Sequence, residues 1–241
     1  MISEQQRCQD AIGTLIPVRF NTRPELLIAS CQFDVSRYND TLFKHYGITM
    51  PDSLLRAVPK RRCEYLAGRV LFQQLLQEHN QPAWPLLNTP AGAPLWPPGY
   101  TGSVSHSDGT AICCLCPTGV YQATGIDIET ILSTKTGTDI EQLILQPAEQ
   151  HLLRQLTAVT YTELLTIAFS AKESLYKALY PQVQRFFGFE DAAITNIKAE
   201  TQQFTLCLTS PLGPQLSTDT EFHGHYSYVG QQVISLIALP A

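Results

Sequence analysis

Charged residues are scarce in this chain: Asp, Glu, Lys and Arg make up 15 % of 241 residues, against about 25 % in an ordinary soluble domain. With 44 % hydrophobic residues, that scarcity excludes an intrinsically disordered chain, which needs the opposite balance. Gly and Pro number 14 and 16, close to average usage, which excludes a collagenous or low-complexity architecture. No repeat of about 20 to 50 residues is visible, so a solenoid is excluded too. Long hydrophobic runs are also missing. The longest, Ala111 to Cys116 and Val233 to Leu239, fall well short of the roughly 20 residues of a membrane span. The stretch Met1 to Asp10 is polar and lacks the apolar segment of a secretory signal. These absences predict a cytoplasmic protein with no membrane insertion. The net charge of -5 gives no global attraction to nucleic acid or to an anionic membrane, so an anionic ligand needs a local basic cluster. The seven cysteines (Cys8, Cys31, Cys63, Cys113, Cys114, Cys116 and Cys207) are odd in number and have no regular spacing. They read as reduced thiols.

At roughly 150 residues per domain the length allows one large domain or two small ones. Residues 11 to 50 mix short apolar runs with turn residues and predict strands and loops. Leu66, Ala67, Val70, Leu71 and Leu75 recur at helical spacing, which predicts a helix over about 61 to 78 with a basic entry at Lys60-Arg61-Arg62. Six prolines between Pro82 and Pro98 forbid regular helix there. The run Gly102 to Ser107, then Asp108-Gly109, then Ala111 to Cys116 is a hairpin signal. A strand is predicted around Gly125 to Glu129, followed by a Thr/Gly-rich break at 133 to 138. The strongest helix signal comes next: Leu164, Ala168, Ala171, Leu175 and Ala178 form an apolar stripe, and Thr166, Ser170, Glu173 and Lys177 a polar one opposite. Strands return around Thr205 to Leu208 and Val233 to Leu239. Each half therefore carries one long helix and several strands, with the seam at Pro117-Thr118-Gly119 and halves of 1–118 and 119–241.

Asp127 and Glu129 are two apart on a strand, which puts both carboxylates on one face. At about 4 Å they would repel by on the order of 1 kcal/mol in water and about 4 kcal/mol at an effective dielectric near 20, a penalty that a bound divalent cation removes. Oxygen-only ligands favour Mg²⁺. Taken alone, the pair is explained more simply by an exposed edge strand with solvated acids. Glu173 and Lys177, four apart, fit an ordinary helix-surface ion pair. Neither Gly-rich nucleotide fingerprint is present. Ser105-His106 lacks the elbow of a serine hydrolase, and neighbours on a strand point to opposite faces; His106 then reads as structural or as a phosphate donor. Cys113, Cys114 and Cys116 lack zinc-site spacing and read as core packing. Arg61, Arg62 and Arg69 are the densest basic group; Arg62 and Arg69, seven apart, lie within about 20° on one helix face and could meet one phosphate or simply face solvent.

Taken in order, four blocks are specific: Lys60 to Arg69 (KRRCEYLAGR); Trp96-Pro97-Pro98-Gly99 leading to Gly102-Ser103-Val104-Ser105-His106; Gly125-Ile126-Asp127-Ile128-Glu129; and Phe169 to Ala178 (FSAKESLYKA). The series resembles the 4'-phosphopantetheinyl transferases, in particular the enterobactin synthase component D branch of the surfactin-synthetase-type group. The resemblance implies an α+β monomer of two similar halves related by a pseudo-twofold axis, each a long helix packed on a small antiparallel sheet. It implies transfer of the 4'-phosphopantetheine arm of coenzyme A to a serine of an apo acyl, peptidyl or aryl carrier protein, with release of adenosine 3',5'-bisphosphate, in a setting such as siderophore biosynthesis. By position it implies Asp127, Glu129 and Glu173 as ligands of Mg²⁺, with Mn²⁺ as a substitute. It further implies Lys172 and Lys177 near the pyrophosphate, Ser105 and His106 on coenzyme A phosphates, and Arg61 and Arg69 on the 3'-phosphate. Glu173 and Lys177 are then the catalytic candidates, with Asp127 touching both metal and cofactor. Many relatives carry a lysine in the loop that here reads Leu86 to Gly92 with Asn88 near its centre, so the resemblance carries over no strong cationic contact from this loop, and whether Arg62 or another residue replaces it is left open. Residues 133 to 165 are the implied docking region for the carrier. A non-catalytic binder of coenzyme A or carrier on the same fold, or a Mg²⁺-dependent phosphohydrolase, remain the alternatives.

Overall fold

A computed structural model describes residues 11–20 and 25–241. The polar segment Met1 to Asp10, with Cys8, lies outside the described residues. The chain divides into two compact units, Met1–Pro117 and Thr118–Ala241, each with its own hydrophobic core.

The first unit is built from β1 (Ile16–Pro17), β2 (Leu27–Gln32), the short helix α1 (Thr41–His45), the long helix α2 (Pro59–Glu78), β3 (Tyr100–Ser107) and β4 (Thr110–Pro117). Its antiparallel sheet has the order β1-β2-β4-β3. The expected helix starts two residues early because Pro59, whose fixed φ suits a first turn, opens it. Asp108 and Gly109 take positive φ, 39° and 80°, as a two-residue hairpin between β3 and β4 requires. Between α2 and β3 the proline-rich segment forms neither helix nor named strand, and the Trp84 indole donates to the Leu95 carbonyl across it at 3.2 Å.

β4 is buried on both faces, so Cys113, Cys114 and Cys116 are all inaccessible. Burial pushes the Cys31 and Cys63 thiols up to about 12 and holds Cys113 well above the usual thiol range. Because only the thiolate reacts, mass-mapped alkylation at pH 8 is expected to leave these three unlabelled in the native protein and labelled in denaturant. The unfolded chain loses its thiol protons near 9.0 while the folded chain keeps them, so the stability they confer is complete below about pH 9 and declines as pH rises towards 12. Replacing Cys113, Cys114 and Cys116 together by Ala is expected to lower the melting temperature and leave metal content unchanged. Stoichiometric zinc lost with them would overturn the packing assignment.

The second unit runs β5 (Tyr121–Thr130), α3 (Thr134–Ile144), α4 (Pro147–Gln155), α5 (Tyr161–Val183), β6 (Ala192–Lys198), β7 (Gln203–Leu208), β8 (Glu221–Val229) and β9 (Gln232–Pro240). The sheet order is β5-β9-β8-β7-β6, all antiparallel, so the first strand of the unit pairs with its last. Each unit is thus a long helix with an antiparallel sheet, an α+β arrangement.

Two expectations fail here. The Thr/Gly-rich stretch 133–138 is not a break but the first turns of α3: Ser133 caps it by accepting the Thr136 amide at 3.1 Å, and one capping Ser/Thr looks the same in sequence as a loop. On α5 the apolar stripe is buried as expected, but Thr166 and Ser170 on the supposed polar face are fully buried too. Thr166 satisfies its hydroxyl on the Thr162 carbonyl at 2.6 Å and the Leu132 amide at 3.0 Å. Ser170, Ser174 and Ser235 of β9 share one hydrogen-bonded cluster. Small self-satisfied side chains let this face of the helix lie close against the sheet.

Candidate functional site

Gly125 decides where α5 meets β5. A Cβ at that position would overlap the Ser174 carbonyl oxygen and come within 2.7 Å of the Ala178 amide nitrogen, so strand and helix backbones are in direct contact. Asp127 lies two residues further along the same strand face, opposite Ser235 in register. Its side chain is 2 % exposed, and Oδ1 accepts from Lys177 Nζ at 2.6 Å. Lys177 stands one helical turn from Glu173. Burial raises the proton affinity of Glu173, Lys177 opposes that rise, and Asp127 adds to it. Asp127, Glu173 and Lys177 therefore form one electrostatic group of two carboxylates and one ammonium.

The donor chemistry of this group, oxygen-only with an excess of negative charge, fits a hard divalent cation. Glu129 shares the strand face with Asp127. Among the described residues no three His, Cys, Asp or Glu side chains are gathered as a cation would gather them, and the Lys177 ammonium sits on the Asp127 oxygen.

In the first unit a second cluster forms where α2 passes β3. Arg61 Nη1 donates to His106 Nε2 at 2.7 Å, which makes Nε2 the acceptor and assigns the ring proton to Nδ1. Nδ1 faces the Glu64 carboxylate at 3.6 Å. The same carboxylate pairs with Arg61 at 3.7 Å and Lys60 at 4.0 Å. Ser105, next to His106, is buried on the other face of the strand.

Two family models match this chain: the 4'-phosphopantetheinyl transferase N-terminal domain over residues 51–116 and the 4'-phosphopantetheinyl transferase superfamily over residues 123–236. Enterobactin synthase component D of Salmonella typhi is 37 % identical over 169 residues, covering 69 % of this chain and 68 % of that protein. The chain belongs to the 4'-phosphopantetheinyl transferase superfamily. Other relatives in it include the 4'-phosphopantetheinyl transferase PptT of Mycobacterium tuberculosis, 34 % identical over 59 % of this chain and 61 % of that one. A crystal structure of a holo-(acyl-carrier-protein) synthase from Bacillus anthracis in complex with CoA (3',5'-ADP) aligns at a TM-score of 0.39 and 20 % identity, covering 51 % of this chain and 98 % of that one.

Within this phosphopantetheinyl transferase chain the structure corrects three placements. Lys172 is 3 % exposed, and its three donors go to the Ile144 carbonyl at 2.7 Å, the Glu149 carboxylate at 2.8 Å and the Phe189 carbonyl at 3.0 Å. None is left for a pyrophosphate. Arg62 and Arg69 do not converge. Arg62 binds the carbonyls of Leu54 and Leu55 and the Asp40 carboxylate, so it does not replace the missing loop lysine either. Arg69 is buried, stacked on Tyr65 with its guanidinium carbon 3.8 Å from the ring centroid, and it braces Leu86 and Asn88 of the proline-rich loop. Helical phase brought both arginines to one side, but long side chains diverged to opposite loops.

Three residues have places in these clusters to which the sequence reading gave no role, although Gly125 and Glu64 lie within its motif blocks. Gly125 has a signal, an isolated glycine inside a strand run. Glu64 has one as well, three and four residues after Arg61 and Lys60. Glu149 shows only as the end of a Gln146-Pro147-Ala148-Glu149 capping box.

Proposed function

We propose that this protein transfers the 4'-phosphopantetheine moiety of coenzyme A to a serine hydroxyl of an apo acyl, peptidyl or aryl carrier protein. The observation that carries the reading is the Asp127–Lys177–Glu173 group on β5 and α5 of a chain in this superfamily. The serine oxygen attacks the phosphorus that bears the pantetheine arm, its bond to adenosine 3',5'-bisphosphate breaks, and the serine proton passes to a base. Glu173, with a raised proton affinity, suits that acceptor role directly or through a water. Lys177 donates to the phosphate oxygens as charge builds on the leaving group, and Asp127 holds the ammonium in place. A divalent cation, Mg²⁺ or Mn²⁺, held by Asp127 and Glu173 with Glu129 beside them, would supply Lewis-acid polarisation of the pyrophosphate. The carrier docks over 133–165, where α3 leaves Leu143 72 % exposed. We also assign it to the cytoplasm and to a monomeric state, which sizing chromatography checks.

Incubation with coenzyme A and an apo-carrier, read by intact mass, tests the reading. A transferase adds ~340 Da to the carrier and releases the bisphosphate, as the chemistry of the arm requires. A binder adds nothing, and a phosphohydrolase consumes coenzyme A without modifying the carrier.

Arg61 is the candidate for the 3'-phosphate, because its side chain is 53 % exposed and keeps donors beyond the one on His106, while Arg69 is committed to the loop. Arg61→Ala is expected to raise KM for coenzyme A by roughly tenfold, on the order of one charge-assisted hydrogen bond. It should leave 3'-dephospho-coenzyme A almost unaffected, so the preference between the two substrates collapses. Arg69→Ala should instead weaken both substrates equally and lower the melting temperature. A selective loss in Arg69→Ala, with none in Arg61→Ala, would reverse the assignment.

A further inference from the structure

The geometry points to Lys172 and Glu149 as a positioning pair that sets where Glu173 stands. The inference rests on the transferase reading above and assigns Glu149 a part in it. Both side chains are 2 % exposed. Burying two opposite charges is no better for stability than a well-packed apolar pair, so filling space does not account for them. What they do is join segments. Lys172, on α5, ties the carbonyl of Ile144 at the end of α3 and the carbonyl of Phe189 ahead of β6. Glu149, in the first turn of α4, receives the Lys172 ammonium on both oxygens. It also accepts the Ile194 amide of β6 at 2.7 Å and the Gln146 amide at 2.9 Å. One buried ion pair thus holds α3, α4, α5 and β6 in register.

Consecutive residues on a helix are about 100° apart, so fixing Lys172 in the core fixes the rotation of α5 and the direction in which Glu173 leaves it. Through the Phe189 carbonyl the same latch also sets a wall of the cavity of about 230 Å³ that Glu173 and Tyr176 line with Phe186, Phe187 and Phe189. Ring contacts of Phe189 with Phe169, at 5.6 Å between centroids, and of Phe187 with Tyr176, at 4.9 Å, continue that wall along the helix. A latch of this kind acts on kcat rather than on coenzyme A affinity, because it touches neither substrate.

The test is a double-mutant cycle of Lys172→Met and Glu149→Leu, read in kcat, KM for coenzyme A and melting temperature. Each single variant leaves a buried charge without its partner. Each is expected to melt lower and to lose at least about tenfold in kcat, as small misplacements of a reacting group do, with KM for coenzyme A within about twofold of wild type. The double variant replaces the pair by apolar groups. It should regain most of the melting temperature but stay at least about tenfold below wild-type kcat, because the bonds to Ile144, Phe189, Ile194 and Gln146 are lost with the pair. If the single variants do not fold, the double variant decides alone. A double variant that folds, keeps its KM for coenzyme A and stays at least about tenfold below wild-type kcat supports the latch, and one that turns over within about threefold of wild type, or that does not fold, overturns it. A tenfold rise in KM for coenzyme A in Lys172→Met also overturns it and returns the lysine to the pyrophosphate. Should the wild type modify no carrier at all, the transferase reading fails by itself. The latch is then judged on melting alone, requiring the double variant to melt above both singles.

Discussion

Asp127→Ala is expected to reduce transfer to a carrier protein by roughly a hundred- to a thousandfold, the loss seen when a preorganised electrostatic contact to the reacting group is removed, while leaving the fold in place. The carboxylate is buried against α5 and holds the Lys177 ammonium at 2.6 Å, so its loss frees Lys177 to turn away from the phosphate oxygens it is proposed to neutralise. It also takes away a ligand from the candidate cation site. Alanine keeps the strand, because the backbone pairing of Asp127 with Ser235 does not depend on the side chain. Intact mass of the carrier measures the first effect and circular dichroism the second. Near-normal turnover in a folded variant would remove Asp127 from the site. Asp127→Asn separates its two roles: an amide still accepts from Lys177 but is a poor ligand for a hard cation. Full wild-type turnover in excess EDTA would remove the cation from the proposal and leave the Asp127–Lys177 contact standing.

Glu173→Gln comes next in size, with kcat falling by at least about a hundredfold, the lower end for general acid-base catalysis. Glutamine preserves the volume and the hydrogen-bonding reach of the side chain but cannot take a proton. The surroundings of Glu173 suit the role: burial raises its proton affinity, and the neighbouring Lys177 keeps the ionised form accessible. The substitution changes one heavy atom and leaves the proposed coenzyme A contacts of the first unit untouched, so KM for coenzyme A should move little. A normal kcat with a raised requirement for Mg²⁺ would make Glu173 a ligand only. Turnover that is normal at every Mg²⁺ concentration would remove it from both roles.

Most of the secondary structure was legible because its signals are local. The apolar spacing of Leu66, Val70 and Leu71, the Asp108-Gly109 turn and the stripe from Leu164 to Ala178 each depend on a single period of the backbone. The same locality explains the failures. Ser133 looks like part of a loop until its hydroxyl is found on the Thr136 amide, and Thr166 and Ser170 look solvated until the Leu132 amide is found on one and Ser235 of β9 on the other. The motif order carried the chain to its superfamily without any of this detail.

By itself the sequence determined the α+β content, the superfamily and the short set of acids and bases from which a site could be made. Only the tertiary structure decided which of them meet. Helical and strand periods place a Cβ on a face, but Lys and Arg side chains reach far past that face and settle wherever acceptors are left unsatisfied. Arg69 therefore went to the loop at Asn88 and Lys172 into the core on Glu149, while Lys177 found Asp127. That last contact depends on Gly125, fifty-two positions from Lys177 in the chain, whose missing Cβ lets α5 lie against β5. Long-range backbone approach of this kind leaves no periodic trace in a sequence, because it comes from the packing of two elements rather than from the geometry of either one.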